Sequence, residues 1–194
     1  MTGREAPADD LRPLIRRCLS GCQTAMVDLV ERYQGSVFGL CYRMLGRRED
    51  AEDAAQETFI RVLRSLARWD ETRDFEPWLL AIAGNRCRTA LATKRRRPAM
   101  DSLDDTPPVA GDELGSESHL AEEVQRALGQ VREEYRQAFV LFHEHEKSYG
   151  EIAEILGVPL GTVKTWVHRA RRDLMETLKQ RGAVEDMRYA VRRV

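Results

Sequence analysis

The sequence predicts an all-α protein: two small helical domains joined by a flexible acidic linker. Three observations carry this expectation. Apolar residues recur at helical spacing almost throughout, and strand-like alternation is nearly absent. The stretch PAMDSLDDTPPVAGDELGSES (98–118) is rich in Pro, Gly, Ser and Asp and has no sustained apolar period. The stretch GVPLGTVKTWVHRARR (157–172) runs from a tight Gly/Pro turn straight into a basic segment.

Charge follows the same division. The net charge is −1, but residues 1–97 hold 18 Lys/Arg against 14 Asp/Glu, residues 99–125 hold 8 acids and no base, and residues 126–194 hold 13 bases against 10 acids. Two mildly basic blocks thus flank an acidic segment, a pattern that bears on partner choice more than the total does. Hydrophobic residues make up 42% of the 194 positions, enough for two modest cores. Cys18, Cys22, Cys41 and Cys87 are too few and too unevenly placed for a disulfide framework. The N-terminus lacks the apolar run of a signal peptide, and no run reaches the length of a membrane span. The expected compartment is a reducing cytoplasm, with no membrane insertion.

Residues 24–45 place Met26, Leu29, Val30, Tyr33, Val37, Leu40, Cys41 and Met44/Leu45 along one side of a helix, which Gly46 ends. Residues 49–69 put Ala51, Ala55, Phe59, Val62 and Leu66 on one stripe; a polar stripe of Asp50, Asp53, Gln56, Glu57, Arg61 and Arg64 lies opposite. On the residues alone that stripe is either a solvated face with internal ion pairs or a docking surface. A polar loop (68–78) flanked by Trp69, Phe75 and Trp78 leads to a third helix from about Glu76 to Arg95. Two more helices, or one with a break, are expected between Leu120 and His145.

The last two helices are expected at 148–157 and 162–180. Ser148 and Glu151 have capping-box spacing, Gly157 suits a helix end, and Thr162 is placed to cap the next helix. Ala153, Gly157 and Val163 have the mutual spacing of a helix-turn-helix. On a wheel, Val163, Val167, Ala170 and Leu174 share one stripe, and Lys164, Thr165, His168, Arg169 and Arg172 lie on the other side. Such a face is either solvated or made for DNA. Trp166 sits at the edge of the buried stripe.

The stretch SYGEIAEILGVPLGTVKTWVHRARRDL resembles the C-terminal helix-turn-helix of bacterial sigma factors of the extracytoplasmic-function (ECF) group, and 50–97 resembles their sigma-2 domain. Together the two matches cover about 20–180. The resemblance implies an N-terminal segment (1–19), a sigma-2 domain (20–97), a linker (98–119), a sigma-4 domain (120–180) and a tail (181–194). It implies a non-enzymatic subunit with no cofactor, which binds core RNA polymerase and directs it to promoters.

It also implies roles for particular residues. The helix carrying Asp50, Asp53, Gln56, Glu57 and Arg61 would dock on the coiled coil of the largest polymerase subunit, and the sigma-4 domain would engage the flap. Trp69, Asn85, Arg86, Arg88, Arg95 and Arg96 would meet the minus-ten element and its non-template single strand, with one base flipped out of the stack. Thr162, Lys164, Thr165, His168, Arg169 and Arg172 would meet the minus-thirty-five duplex. An anti-sigma factor is an implied partner, and the nucleoid is the implied place of action. Leu80-Ala81 and Trp166 depart from residues often found in the group, so the promoter sequence is left open. The acidic linker would lie in the basic channel of the polymerase as a nucleic-acid mimic. Because that linker joins the domains flexibly, they are not expected to be pre-arranged in the free chain. Metal binding by Cys18 and Cys22, or by His143 and His145, is not expected from their spacing.

Overall fold

A computed structural model describes residues 11–96 and 116–183. Residues 97–115, most of the expected linker, and the last eleven residues, most of the expected tail, lie outside the described residues. The chain forms α1 (Arg12–Leu19), α2 (Gln23–Leu45), α3 (Arg48–Ser65) with a 3-10 turn at Leu66–Arg68, α4 (Phe75–Arg96), α5 (Ser116–Gln130), α6 (Glu133–His143), α7 (Tyr149–Leu156) and α8 (Leu160–Gln180). No strand occurs among the described residues.

The local rules account for the boundaries. Gly46 takes φ 81° and donates to the Tyr42 carbonyl, which closes α2. Glu49 and Asp50 place negative charge in the first turn of α3. Ser148 and Glu151 form the full capping box at the start of α7. Gly157, at φ 66°, ends α7, and its N–H and that of Val158 bond back into the last turn. The expected cap at Thr162 is not what forms: α8 begins at Leu160, after Pro159, so Thr162 sits inside the first turn. Proline there fixes φ, and its missing N–H costs nothing at a helix start. Helix α1 was not expected from the sequence; it is short, Pro13 lies in its first turn, and Ile15 and Cys18 bury its inner side. Helix α5 begins inside the range read as linker.

The two blocks, α1–α4 and α5–α8, are packed against each other and share one continuous apolar core, contrary to the expectation that they are not pre-arranged. The seam runs along α2 and α4. Gln137 of α6 is buried at 1% exposure, and a β-carbon built on Gly84 of α4 would overlap its amide. Arg136, 6% exposed, donates to the carbonyl of Met44 in α2 and, at 2.9 and 3.0 Å, to those of Gly129 and Val131. Burial lowers the pKa of this guanidinium. Each of those carbonyls left bare would cost about 1–3 kcal/mol.

Polar pairs also line the seam. Gln125 donates to the carbonyls of Tyr42 and Arg43, and Arg43 pairs with Glu144 at 2.7 Å. Lys147 pairs with Glu76 at 2.5 Å. Ser36 donates to Glu76 at 3.0 Å, and His145 Nδ1 lies 3.2 Å from the same hydroxyl. Since the Ser36 proton points to Glu76, His145 Nδ1 is the donor to Ser36 Oγ. Pairing of this kind removes the desolvation penalty of polar groups that close packing would otherwise leave bare.

Candidate nucleic-acid interface

Between α3 and α4 lies a cavity of about 550 Å³, lined by Arg61, Arg64, Ser65, Arg68, Ile82, Asn85, Arg86 and Thr89. Four guanidinium groups and no carboxylate line it, a concentration of charge suited to phosphates. Their convergence follows from helical spacing: Arg61, Arg64 and Arg68 recur about one turn apart, while Asn85, Arg86 and Thr89 face them from α4. Three of the expected minus-ten and polymerase-docking residues (Asn85, Arg86 and Arg61) are therefore in one groove. Arg64 and Arg68 were not assigned to DNA from the sequence, although their spacing from Arg61 was visible there.

The polar stripe of α3 is not uniformly free. Glu57 pairs with Arg86, and Asp50 lies 3.5 Å from Lys94. Both acids tie α3 to α4, so two docking candidates are bound to residues of the basic helix. Asp53, Gln56 and Arg61 are exposed.

Trp69, which the resemblance placed at the minus-ten element, is turned inward. It is 9% exposed and meets Phe75 edge-on at 5.6 Å. Phe75 in turn touches Tyr33 and Trp78, so this aromatic cluster packs the domain. The loop after Trp69 is held by Asp70, which accepts from the Thr72 N–H at 2.9 Å and its hydroxyl at 2.7 Å. Those two bonds hold the Asp70 carboxyl below its usual range.

Further along α4, Arg88 donates to Asn85 Oδ1 and, at 3.0 Å, to Gln137 Oε1. Arg95 pairs with Glu133 of α6. Arg96 is exposed. Two of the expected minus-ten residues are thus engaged by the other block.

On α8 the buried stripe is as expected: Val163, Val167, Ala170 and Leu174 are at most 7% exposed. Lys164, Thr165, His168, Arg169 and Arg172 are exposed on the other side, and Thr162 is half-buried. Thr165 donates to the Gly161 carbonyl at 2.9 Å. Arg169 donates to the Tyr135 hydroxyl at 2.9 Å, and its guanidinium lies 5.8 Å from the ring centre. Arg132 lies 5.4 Å from the same ring, so Tyr135 is gripped by two guanidinium groups. The Arg169 hydrogen bond draws the Tyr135 phenol below its usual pKa. Trp166 stands beside Tyr135, with ring centres 6.2 Å apart. Arg172 is paired with Asp173 at 3.1 Å. The sequence reading missed Tyr135, Glu133 and Gln137, because their roles depend on partners far away in the chain.

Among the described residues no cluster of three or more His, Cys, Asp or Glu is placed to hold a metal ion, and no helix is long and apolar enough to cross a membrane.

Residues 29–97 match Sigma-70 region 2, and residues 121–174 match Sigma-70, region 4. The chain is 33% identical to the ECF RNA polymerase sigma factor SigW of Bacillus subtilis, over 87% of its own length and 97% of the relative's. The chain belongs to the ECF sigma factors. A second relative, the ECF RNA polymerase sigma factor SigE of Mycolicibacterium smegmatis, is 36% identical over 84% of this chain and 66% of that protein. In three dimensions the sigma factor resembles CnrH, solved in complex with the cytosolic domain of CnrY: TM-score 0.66, 28% identity, 89% of this chain and 99% of that one. The ECF sigma factor directs transcription initiation and is not an enzyme; its region 4 is a DNA-binding helix-turn-helix.

Proposed function

We propose that the α3–α4 groove receives the melted non-template strand of the minus-ten element, and that the exposed face of α8 enters the major groove of the minus-thirty-five element. The observation that carries the first assignment is the cavity lined by Arg61, Arg64, Arg68 and Arg86, with Asn85 beside them. Guanidinium groups there neutralise phosphates, and the Asn85 amide offers both a donor and an acceptor to a base edge. Flipping a base costs a few kcal/mol, and a basic cavity of this size can offset it. The second assignment is supported by Lys164, Thr165, His168 and Arg169, which stand clear of the buried stripe on a helix that follows a helix-turn-helix bend.

Core polymerase docks, on this reading, through Asp53 and Gln56 of α3, with Asp50 and Glu57 shared between α4 and the polymerase and Arg61 shared between the polymerase and the groove. Charged groups at such a contact govern orientation and on-rate more than affinity. The largest-subunit coiled coil takes the α3 surface and the flap takes region 4. An anti-sigma factor is the proposed inhibitory partner. The setting is the bacterial cytoplasm, on the nucleoid when active.

Run-off transcription with core enzyme on a promoter library, followed by footprinting of the selected promoters, tests the assignment. Arg64→Ala with Arg68→Ala should abolish opening at the minus-ten element while leaving polymerase binding intact. Normal opening by that double variant would refute the groove.

A further inference from the structure

The turn from α1 into α2 holds two thiols that the proposed function leaves without a role. Gly21 takes φ 85°, and the N–H groups of Gly21 and Cys22 donate to the carbonyls of Cys18 and Arg17, both at 3.0 Å. That closure folds Cys22 back over the last turn of α1. Cys18 shares the buried side of α1 with Ile15, at 3% exposure, whereas Cys22 is half-buried at the start of α2.

The two sulfurs differ in chemistry. Cys22 Sγ lies 3.2 Å from Thr24 Oγ1 and 3.6 Å from Arg17 Nη2. Thr24 first, then the Ala25 amide in the first turn of α2, then Arg17, favour the thiolate and bring its pKa down to about 7. Burial pushes the Cys18 thiol up; Cys22 and Asp28 add to that shift, and Arg17 opposes it. One sulfur is thus reachable and in good part ionised at neutral pH, and the other is a protonated thiol four residues back. Attack by a thiolate and condensation with a neighbouring thiol is the route to a disulfide. Cys41 and Cys87, at 0% exposure in the core, have no such access.

We infer that Cys22 and Cys18 are a peroxide-reactive pair: Cys22 is the attacking sulfur, Cys18 resolves it, and the disulfide so formed unseats α1. In the first step the Cys22 thiolate displaces hydroxide from hydrogen peroxide and is oxidised to a sulfenic acid, and the hydroxide takes up a solvent proton. In the second, the Cys18 sulfur attacks Cys22, the S–O bond breaks, and the hydroxide departs as water with the Cys18 proton. An S–S bond of about 2.05 Å draws the buried sulfur toward one held by Thr24 and Arg17. Helix α1 packs on α2 and on the 3-10 turn at 66–68, and its Arg16 pairs with Glu71 just beyond that turn at 3.4 Å. Arg68 of the same turn lines the arginine cavity. Oxidation is therefore felt at the α3–α4 groove; this last link, and no other, rests on the proposed reading of the groove.

The full chain serves for every measurement. Iodoacetamide should alkylate Cys22 about tenfold faster at neutral pH than it does free cysteine. Hydrogen peroxide should remove two hydrogen masses from the intact protein, with peptide mapping placing the bond between Cys18 and Cys22. Cys22→Ser should resist, and Cys18→Ala should stop at a sulfenic acid that dimedone traps. Should Cys18→Ala fail to fold, dimedone added to the parent chain before peroxide should label Cys22 instead. Ordinary reactivity at Cys22, or a disulfide between any other pair, would overturn the assignment. Amide exchange across 66–74 should rise in the oxidised chain and return on reduction; unchanged exchange would overturn the unseating of α1. Run-off transcription with core enzyme should fall on oxidation and recover with reductant, while Cys22→Ser stays active under peroxide. If exchange rises and transcription stays full, the thiol pair stands and the reading of the groove as the minus-ten site falls.

Discussion

Gln137 of α6 occupies the space in which a side chain on Gly84 of α4 would have to stand. Alanine in an exposed helix interior normally stabilises by about 1 kcal/mol relative to glycine. Here a β-carbon would lie 2.9 Å from Gln137 Cδ, so the Gln137 side chain has to leave. Gly84→Ala should therefore destabilise the chain by about 1–3 kcal/mol, the range for overpacking. Urea unfolding gives the sign directly; a stabilised variant would mean that the two blocks do not meet at this point.

Asp53 and Glu57 share the polar stripe of α3 but differ in surroundings. Asp53→Lys should weaken binding to core polymerase and leave unfolding nearly unchanged. Glu57→Lys should weaken binding as well and also lower stability, because Glu57 pairs with Arg86 of α4. Calorimetric titration with core enzyme, paired with thermal melts of the free variants, separates the two. Equal melts for both would remove any role for the Glu57–Arg86 pair in joining α3 to α4.

Arg169 has an intramolecular rival for DNA in Tyr135. Arg169→Ala should cost holoenzyme about 1–3 kcal/mol at one promoter position and relax preference there. Tyr135→Phe removes the hydroxyl acceptor while keeping the ring, and should strengthen rather than weaken promoter binding. Arg172→Ala should weaken all sequences alike and lower the salt slope by about one unit. Footprints and salt titrations of holoenzyme on matched promoters read all three; a uniform loss for Arg169→Ala would make α8 a phosphate clamp.

His145 faces Ser36 of α2, Glu76 of α4, and Glu144 and Lys147 of its own loop. Burial pushes its pKa below the ordinary 6.5, and the two carboxylates only partly oppose that shift. His143, beside Arg171, is lowered for the same first reason. The unfolded chain therefore binds more protons than the folded one just below pH 6.5. The stabilising contribution of neutral His145 is intact above that value and is lost as pH falls through the depressed one. Melting temperature should drop across this window, and His145→Gln should flatten the drop. An unchanged pH profile in the variant would show that His145 does not titrate at the seam.

The sequence carried the helices from α2 onward because each rests on local signals. Gly46, Gly157 and the Ser148–Glu151 capping box act within one turn, and apolar spacing marked the buried side of α8. The α3–α4 groove was half legible: Asn85 and Arg86 came from resemblance, whereas Arg64 was read only as part of a polar stripe and Arg68 was not singled out. The seam was not legible. Glu133, Arg136 and Gln137 read as ordinary polar residues at the start of a helix, and only partners in the other block bury Arg136 and Gln137 and half-bury Glu133. Trp69 misled for the related reason that an aromatic beside a polar loop has the same local pattern whether it turns out or in. Its burial is decided by Phe75, Tyr33 and Trp78 packed around it.

The guanidinium of Arg136 joins carbonyls at the ends of α2 and α5. Heating the intact protein should thus give one calorimetric transition, with van't Hoff and calorimetric enthalpies equal, rather than one for each block. Over generations the same stitch couples the two halves: a change that shifts the end of α2 alters the cradle of a cation carried by α6. Exchange of region 4 between relatives would then demand matching changes in region 2, and chimaeras lacking them should express poorly even where each half is well formed in its own parent.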